Sequence, residues 1–308
     1  MSRNFPLLLF LALAPVRVGA QLSPSVTVAR ADTARLHKTL DSLANAHHGI
    51  VGYAVHNVDT GEHLSLRGDE TFPTASLIKV GVLVTLFDLV EKKQISLDDP
   101  IRVLKIDKVG GSGMLQYLHD GLEITVGDAA WLMSTVSDNT ATNLLLDKIK
   151  LRTVWQRMEA LGLQHTKIHA ESFRRDATSI AMDSSVKYGL GVTTPNEMAR
   201  LFQMLASGKA VNARADSVML DILEHNTMNQ MLQRYVAGVA MAHKDGEGDD
   251  IRTECALFRL QSHVVACVLT NKNQDKRWLV DNEAQLTMAN MGAAIAGAWP
   301  RLTATNRQ

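Results

Sequence analysis

The sequence has few of the features by which several large classes of protein are recognised. Its 32 basic and 32 acidic side chains give a formal net charge of zero, so it lacks the positive excess typical of nucleic-acid-binding proteins. Its 11 histidines show no H-E-x-x-H or other metal-ligand spacing, and it has no dinucleotide-binding or P-loop fingerprint. These absences argue against a nucleic-acid partner and predict a protein that uses no metal and no cofactor.

The first 20 residues have the organisation of a secretory signal. Arg3 gives a positive start, Phe5–Ala14 form an apolar core, and Val18-Gly19-Ala20 supplies the small residues of a cleavage site. The core is too short to cross a bilayer comfortably, and no later run is long and apolar enough to do so. An uncleaved anchor is the alternative. We expect a mature chain of residues 21–308 that is exported to the periplasm or secreted, with no stable membrane anchor after cleavage.

Cysteine is scarce, because only Cys255 and Cys267 are present. They lie symmetrically about a predicted turn at residues 260–262, which would place them opposite each other across a hairpin. Export permits a disulfide, but two buried free thiols on adjacent strands fit the sequence about as well. The sequence leaves both possibilities open.

The order of the predicted elements indicates the fold class. Strand-forming stretches lie towards both ends of the chain, with helical patterns between and outside them. The predicted strands are residues 50–58, 63–66, 236–242, 251–260 and 263–270. We predict an α+β protein, an α-β-α sandwich, in which an antiparallel sheet of about five strands from both chain ends is flanked by helices. The sheet lobe would comprise about 27–75 and 210–302, and an all-helical second lobe about 76–209, with a ligand cleft between them.

Two local expectations concern the middle of the chain. Thr140 is a plausible N-cap for a helix over residues 141–149. Residues 164–192 are polar and glycine-containing with little periodicity, which indicates a long loop of the kind that is usually functional or mobile.

The stretch 73–79 places a serine and a lysine at the start of an apolar helix. Residues 80–90 are apolar on nearly every side, which is typical of a buried helix. Ser76 would lie in the first turn, where unpaired N–H groups favour negative charge, with Lys79 one turn later on the same face. Desolvation would lower the pKa of Lys79 towards the range of a general base, and such a base activates a serine. The spacing alone is weak evidence, because Ser-x-x-Lys recurs at 184–187.

Two further polar motifs could meet this pair in the cleft. Ser137-Asp138-Asn139 lies at a break between two predicted helices, where a hydroxyl and an amide can point into the cleft. Taken alone, it fits an ordinary turn. Lys244-Asp245-Gly246 follows a predicted strand, where the lysine could bind an anion and the glycine allows another backbone to approach. Taken alone, it fits a solvated turn, because acidic residues surround it.

Together and in this order, the three motifs match the signature of class A β-lactamases and penicillin-binding proteins. The chain resembles the class A β-lactamase family of serine hydrolases from about residue 30 to 300. The similarity includes Gly111–Gln116, Val136–Asn143 and Thr194-Pro195. The resemblance implies one catalytic domain over residues 21–308 that acts outside the cytoplasm on a small molecule. We expect a monomer that needs no cofactor.

The resemblance also implies roles for individual residues in the chemical step. Ser76 would be the nucleophile that becomes acylated, with Lys79 as its proton acceptor or relay. The backbone N–H of Ser76 and one from Glu247 or Gly248 would form the oxyanion hole. Ser137 would relay a proton to the leaving nitrogen.

Four residues would bind the substrate on the same grounds. Asn139 would touch the substrate side chain and Lys79. Lys244 would supply positive potential for the substrate carboxylate, and Gly246, two residues later, would belong to the same substrate-binding set. Arg252 lies near the position at which some relatives carry a carboxylate-binding arginine.

Two positions depart from the family pattern. Asp245 stands where the third motif usually has Ser or Thr, whose hydroxyl donates to the substrate carboxylate, whereas an ionised aspartate would repel it. Lys244 and Arg252 could offset that repulsion, or the substrate could be less acidic. The Glu-x-x-Leu-Asn pattern of the deacylation base is absent, and Glu171 is the one loop glutamate before Pro195. If Glu171 is not the base, the acyl-enzyme would form and persist.

The leading functional hypothesis is an exported serine hydrolase that opens the β-lactam ring of penicillin- or cephalosporin-type antibiotics through an acyl-Ser76 intermediate and so confers resistance. The alternative is a D-Ala-D-Ala peptidase or esterase acting on a peptidoglycan-like substrate. A third hypothesis is a penicillin-binding relative of slow turnover that traps its ligand.

Overall fold

The computed structural model describes residues 32–301, so the predicted signal at residues 1–20 lies outside the described residues. The α-helices are α1 (Thr33–Ala46), α2 (Lys79–Glu91), α3 (Val126–Thr135), α4 (Asn139–Ile149), α5 (Leu151–Ala160), α6 (Arg175–Thr178), α7 (Met182–Tyr188), α8 (Pro195–Ala206), α9 (Ala213–Glu224) and α10 (Glu283–Ala298). The strands are β1 (Ile50–Asn57), β2 (His63–Leu66), β3 (Phe72–Pro73), β4 (Pro100–Val103), β5 (Leu122–Thr125), β6 (Lys167–Ile168), β7 (Gly191–Thr193), β8 (Met241–Gly248), β9 (Ile251–Arg259) and β10 (His263–Asn271).

One five-stranded sheet joins the two ends of the chain. Its strand order is β2-β1-β10-β9-β8, and every neighbouring pair is antiparallel. This confirms the predicted α+β class with a five-stranded antiparallel sheet. Cys255 and Cys267 lie directly opposite each other on β9 and β10 and form a disulfide.

The sheet separates two hydrophobic cores. Successive residues of a strand point to opposite faces of a sheet, and β10 shows the alternation clearly. Val265 and Leu269 join the core that contains α2 and α8, whereas Val264 and Val268 join the core that contains α1 and α10. The sheet is therefore covered by helices on both faces, as predicted for an α-β-α sandwich.

Helix α2 is the buried element that the sequence predicted. Every residue from Lys79 to Asp88 is buried, in a helix whose residues from Val80 to Phe87 are apolar apart from Gly81 and Thr85. A helix that is apolar on all sides cannot lie at the surface without exposing its side chains. Within residues 32–301, no helix is long and apolar enough to cross a membrane.

Two predicted boundaries are wrong. The predicted strand 236–242 is β8, which begins at Met241 and runs on to Gly248. The charged run 244–246 is not a turn, because it pairs with residues 253–255 of β9, and Lys244 and Asp245 form an ion pair within the strand. Thr140 is not a cap, because α4 begins at Asn139 and the Asp138 side chain accepts from the backbone N–H of Ala141 at 2.9 Å.

The segment 164–192 is more ordered than a loop. It contains the short elements β6, α6, α7 and the start of β7. Strand β7 pairs with β3 on one side and β6 on the other, and β3 immediately precedes the turn that carries Ser76. The segment is thereby attached to the start of α2.

Candidate functional site

A cavity of about 500 Å³ brings together residues from the separated motifs. Its walls include Ser76, Ser137, Asn139, Glu171 and Asp245. These residues come from the turn before α2, the α3–α4 junction, segment 164–192 and strand β8. The tertiary structure thus brings all three motifs and the candidate glutamate to one cavity.

The turn that carries Ser76 lies directly against strand β8. Ser76 belongs to a short 3₁₀ helix, Ala75–Ile78, that continues into α2. A Cβ atom on Gly246 would lie 2.4 Å from the Thr74 carbonyl oxygen and 2.8 Å from the Leu77 nitrogen. Glycine at position 246 is therefore what permits this close approach.

Lys79 is a buried residue with three polar neighbours in the site. Its side chain is buried, and Nζ donates to the Ser137 carbonyl oxygen at 2.7 Å, to Ser137 Oγ at 3.2 Å and to Asn139 Oδ1 at 2.8 Å. Burial and the positive charge of Lys244 lower the pKa of Lys79 well below its ordinary value, although Asp245 and Asp138 oppose the shift. An amine in this state can accept a proton from a neighbouring hydroxyl.

The α3–α4 junction holds Ser137 in a strained conformation. Its φ angle is 54°, in the left-handed region that costs a non-glycine residue about 1–2 kcal/mol. Asp138 fixes the junction, because Oδ2 accepts from the backbone N–H groups of Met114 at 2.6 Å and Leu115 at 2.9 Å. The sequence analysis assigns no separate role to Asp138. Its preference for N-cap positions was the available signal.

Glu171 lies in the cavity wall with only 9% of its surface exposed. Burial and the negative charge of Asp147 raise the pKa of Glu171, whereas Arg174, whose Nη1 lies 3.3 Å from Glu171 Oε2, opposes the shift. The next residue is held by Asn143, which accepts from the Ser172 N–H at 2.9 Å and donates to the Ser172 carbonyl at 3.0 Å.

Arg174 and Asn143 are two further residues that sequence reasoning missed. Asn143 is four residues after Asn139, on the same face of α4, so helical spacing offered a signal for it. For Arg174 we find no comparable signal in the sequence, because its guanidinium is placed by contacts with the distant Ile106 carbonyl and with Glu171.

The third motif forms a buried ion pair. Lys244 Nζ donates to Asp245 Oδ1 at 2.7 Å and to the Asp245 carbonyl at 2.9 Å. Asn226, also missed by the sequence analysis, donates to Asp245 Oδ1 at 3.1 Å. Burial raises the pKa of Asp245, but the charge and hydrogen bond of Lys244 outweigh burial, so the pKa lies below its ordinary value. Asp245 is therefore ionised at neutral pH.

Arg252 is not among the residues that line the cavity. It is fully buried, and its guanidinium donates to the carbonyls of Gly248, Ile251 and Arg277. Trp278 stacks on it, with Arg252 Cζ 4.8 Å from the ring centroid. Within residues 32–301, no group of three or more His, Cys, Asp or Glu side chains is arranged to hold a metal ion.

The sequence is similar to those of known proteins over most of its length. The family model described as the β-lactamase enzyme family matches residues 35–299. The β-lactamase BRO-1 of Moraxella catarrhalis is 30% identical over 268 residues, which are 85% of this chain and 83% of that protein. The match to the β-lactamase AER-1 of Aeromonas hydrophila is 27% identical and spans 60% of each chain.

The fold is also found among solved structures of β-lactamases. The solved structure of an ancestral class A β-lactamase superposes with a TM-score of 0.76 at 24% identity, covering 86% of this chain and 100% of that chain. The family match covers most of the chain, and the fold agrees with it. The chain therefore belongs to the β-lactamase enzyme family.

Proposed function

We propose that this protein is an exported serine β-lactamase that opens the ring of penicillin- or cephalosporin-type antibiotics through an acyl-Ser76 intermediate, and so confers resistance. The observation that carries the proposal is the buried Lys79, bonded to Ser137 and Asn139 at the wall of the cavity that Ser76 also lines. Membership of the family and the names of the relatives support the substrate class.

Acylation would begin at Ser76. Neutral Lys79 takes the hydroxyl proton, and Ser76 Oγ attacks the lactam carbonyl carbon. The backbone N–H of Ser76 and one from Glu247 or Gly248 stabilise the oxyanion. Lys79 returns the proton through Ser137 to the leaving nitrogen as the carbon–nitrogen bond breaks. The hydrogen bond between Lys79 Nζ and Ser137 Oγ, 3.2 Å long, supports this relay.

Deacylation would use Glu171. Its carboxylate removes a proton from a water molecule that attacks the acyl carbon; the bond between that carbon and Ser76 Oγ then breaks, and the proton passes from Glu171 to Ser76 Oγ, which restores the hydroxyl and the carboxylate. The position of Glu171 in the wall of the same cavity supports this role.

A chromogenic cephalosporin tests the proposal. We expect sustained turnover by the purified protein, and loss of both turnover and the covalent mass adduct in Ser76→Ala. Glu171→Gln should still acylate but keep the adduct, whereas Glu123→Gln, which neutralises an exposed carboxylate on β5, should behave as the wild type. No adduct and no turnover in the wild-type protein would refute the proposal.

A penicillin-binding or D-Ala-D-Ala peptidase activity is the second candidate. The observation in its favour is the ion pair between Arg174 and Glu171. An ion-paired Glu171 carboxylate would be a weaker base for the water that removes the acyl group. That activity predicts one stoichiometric burst and a stable adduct in the wild-type protein. Sustained turnover contradicts it.

Export and oligomeric state need separate measurements. N-terminal sequencing of protein from the periplasmic or extracellular fraction should begin at Gln21, and a chain that starts at Met1 in the membrane fraction would contradict the proposed signal. A monomer is expected by light scattering.

A further inference from the structure

The end of β8 that borders the cavity is acidic where the resemblance predicts positive potential. Asp245 and Glu247 both line the cavity there, together with Gly248, Ile251 and Trp278. Lys244, by contrast, is completely buried, and its Nζ donates a hydrogen bond to Asp245 Oδ1 at 2.7 Å. The positive charge is thus paired inside the protein before any substrate arrives.

Arg252 does not replace that charge. Its Nη atoms donate to backbone carbonyls, and its Nε lies 3.8 Å from Glu247 Oε1. Burial is the main cause that raises the pKa of Glu247. The negative charge of Asp245 adds to this shift, and the positive charge of Arg252 opposes it. The other charged residues of the cavity wall are Glu171 and Arg175, which belong to segment 164–192 rather than to β8.

A substrate carboxylate at this place would meet the ionised Asp245 without a free cation on β8 to balance it. A carboxylate oxygen only accepts hydrogen bonds, so it suits a group that donates one. An amide or hydroxyl meets that requirement without like-charge repulsion.

We propose that the subsite at the β8 end of the cavity, formed by Asp245 with Lys244 behind it, binds an uncharged hydrogen-bond donor of the substrate, a carboxamide or hydroxyl, in place of a carboxylate. This inference rests on the proposed acyl-Ser76 chemistry for its catalytic consequence. It makes Asp245 the residue that determines specificity at this subsite.

Two forms of one chromogenic cephalosporin test the inference, the free acid and the primary carboxamide made from the same carboxyl group. We expect the wild-type kcat/KM to be at least about tenfold higher for the carboxamide. Asp245→Asn and Asp245→Thr both remove the negative charge and free the charge of Lys244, and should reverse the preference. Asp245→Asn retains the side-chain shape if Asp245→Thr does not fold.

Asp249→Asn is the matched control, because Asp249 is exposed in the same β8–β9 hairpin and does not line the cavity. It should keep the wild-type preference. A wild-type preference for the free acid, or no change in preference in the Asp245 variants, would overturn the inference.

A binding measurement separates this inference from the proposed function. Ser76→Ala cannot be acylated, so calorimetry with that variant reports binding alone. Tighter binding of the carboxamide supports the subsite even if the wild-type protein forms no adduct. Equal or weaker binding of the carboxamide, or binding of neither form, overturns the subsite whatever the outcome for turnover.

Discussion

At the scale of single residues, the site depends on charges that are buried and satisfied. An isolated ammonium in a protein interior is costly unless hydrogen bonds compensate it. Lys79 Nζ has three acceptors within hydrogen-bond distance, of which the neutral amine donates to two, and the Lys244 ammonium donates two bonds, one of them to a carboxylate. The two lysines lie in different electrostatic surroundings. Lys79 has a lowered pKa that suits a base, and Lys244 is one member of an ion pair.

Arg174 should tune the pH dependence of deacylation. As the proposed deacylation base, Glu171 would act only when ionised, so the deacylation rate should fall as the pH drops through the pKa of Glu171. Arg174 lowers that pKa. In Arg174→Ala the pKa should rise further, and the acid limb of the deacylation rate should move to higher pH. Arg174→Lys keeps the positive charge and should move the limb less. Single-turnover rates across pH check this, and an unmoved limb in Arg174→Ala contradicts it.

Two substitutions at Ser137 should have the same effect on acylation but different effects on stability. Ser137→Gly and Ser137→Ala both remove the hydroxyl, so both should acylate about a hundredfold more slowly or worse. Only glycine relieves the left-handed φ of 54°. Urea unfolding should show Ser137→Gly to be more stable than Ser137→Ala by about 1 kcal/mol. Equal stability of the two variants would show that the left-handed φ at position 137 does not lower the free energy of unfolding.

At the scale of elements, the site depends on how closely β8 approaches the turn before α2. Thr253 on β9 reinforces the contact, because its Oγ1 donates to the Thr74 carbonyl at 2.8 Å. The position of Ser76 is therefore set by the edge of the sheet as well as by its own helix. A change in β8 should therefore alter acylation without any change in Ser76, the proposed nucleophile.

Two glycines of β8 give a matched test of this contact. A Cβ atom at Gly246 would lie 2.4 Å from a backbone oxygen, whereas at Gly248 its nearest neighbour is the Ile251 Cδ1 atom at 3.4 Å. Gly246→Ala should cost about 1–3 kcal/mol of unfolding free energy, as overpacked sites do, and should slow acylation. Gly248→Ala should lower the free energy of unfolding by less and slow acylation by less. Thermal unfolding and burst kinetics measure both, and equal losses would contradict the argument.

At the scale of the whole molecule, the sheet unites distant parts of the chain. Strand β1 near the start pairs with β10 near the end, so neither end can form the sheet alone. The disulfide between Cys255 and Cys267 lies inside this sheet and is fully buried. It closes a short loop of the chain that contains the β9–β10 turn.

Reduction should therefore weaken the fold. The loop spans 12 residues, and the chain-entropy relation gives about 3 kcal/mol for a loop of this length. Urea unfolding with and without dithiothreitol should show that loss in the wild-type protein. The double variant Cys255→Ala/Cys267→Ala should be insensitive to the reductant. Identical unfolding of the oxidised and reduced wild type would contradict the prediction.

The sequence by itself determined what local patterns encode. Local patterns predicted the five strands of the large sheet but not the short strands β3 to β7, and the burial of α2 follows from its composition. A threonine directly before a helical pattern is a local N-cap signal, and the Thr125 and Thr194 side chains do cap α3 and α8. The three motifs were enough to indicate the family, because each combines a few residues at short, fixed spacing.

Only the tertiary structure decided which charges meet. Asp245 is bonded to Asn226, 19 residues away, and Glu171 faces a cavity whose other walls come from distant elements. The direction of Arg252 depends on carbonyls of the β8–β9 turn and of Arg277. Local patterns cannot encode such contacts, because each depends on how separate elements pack. Whether β8 presents a free lysine or an ion pair to the substrate was therefore settled by the fold.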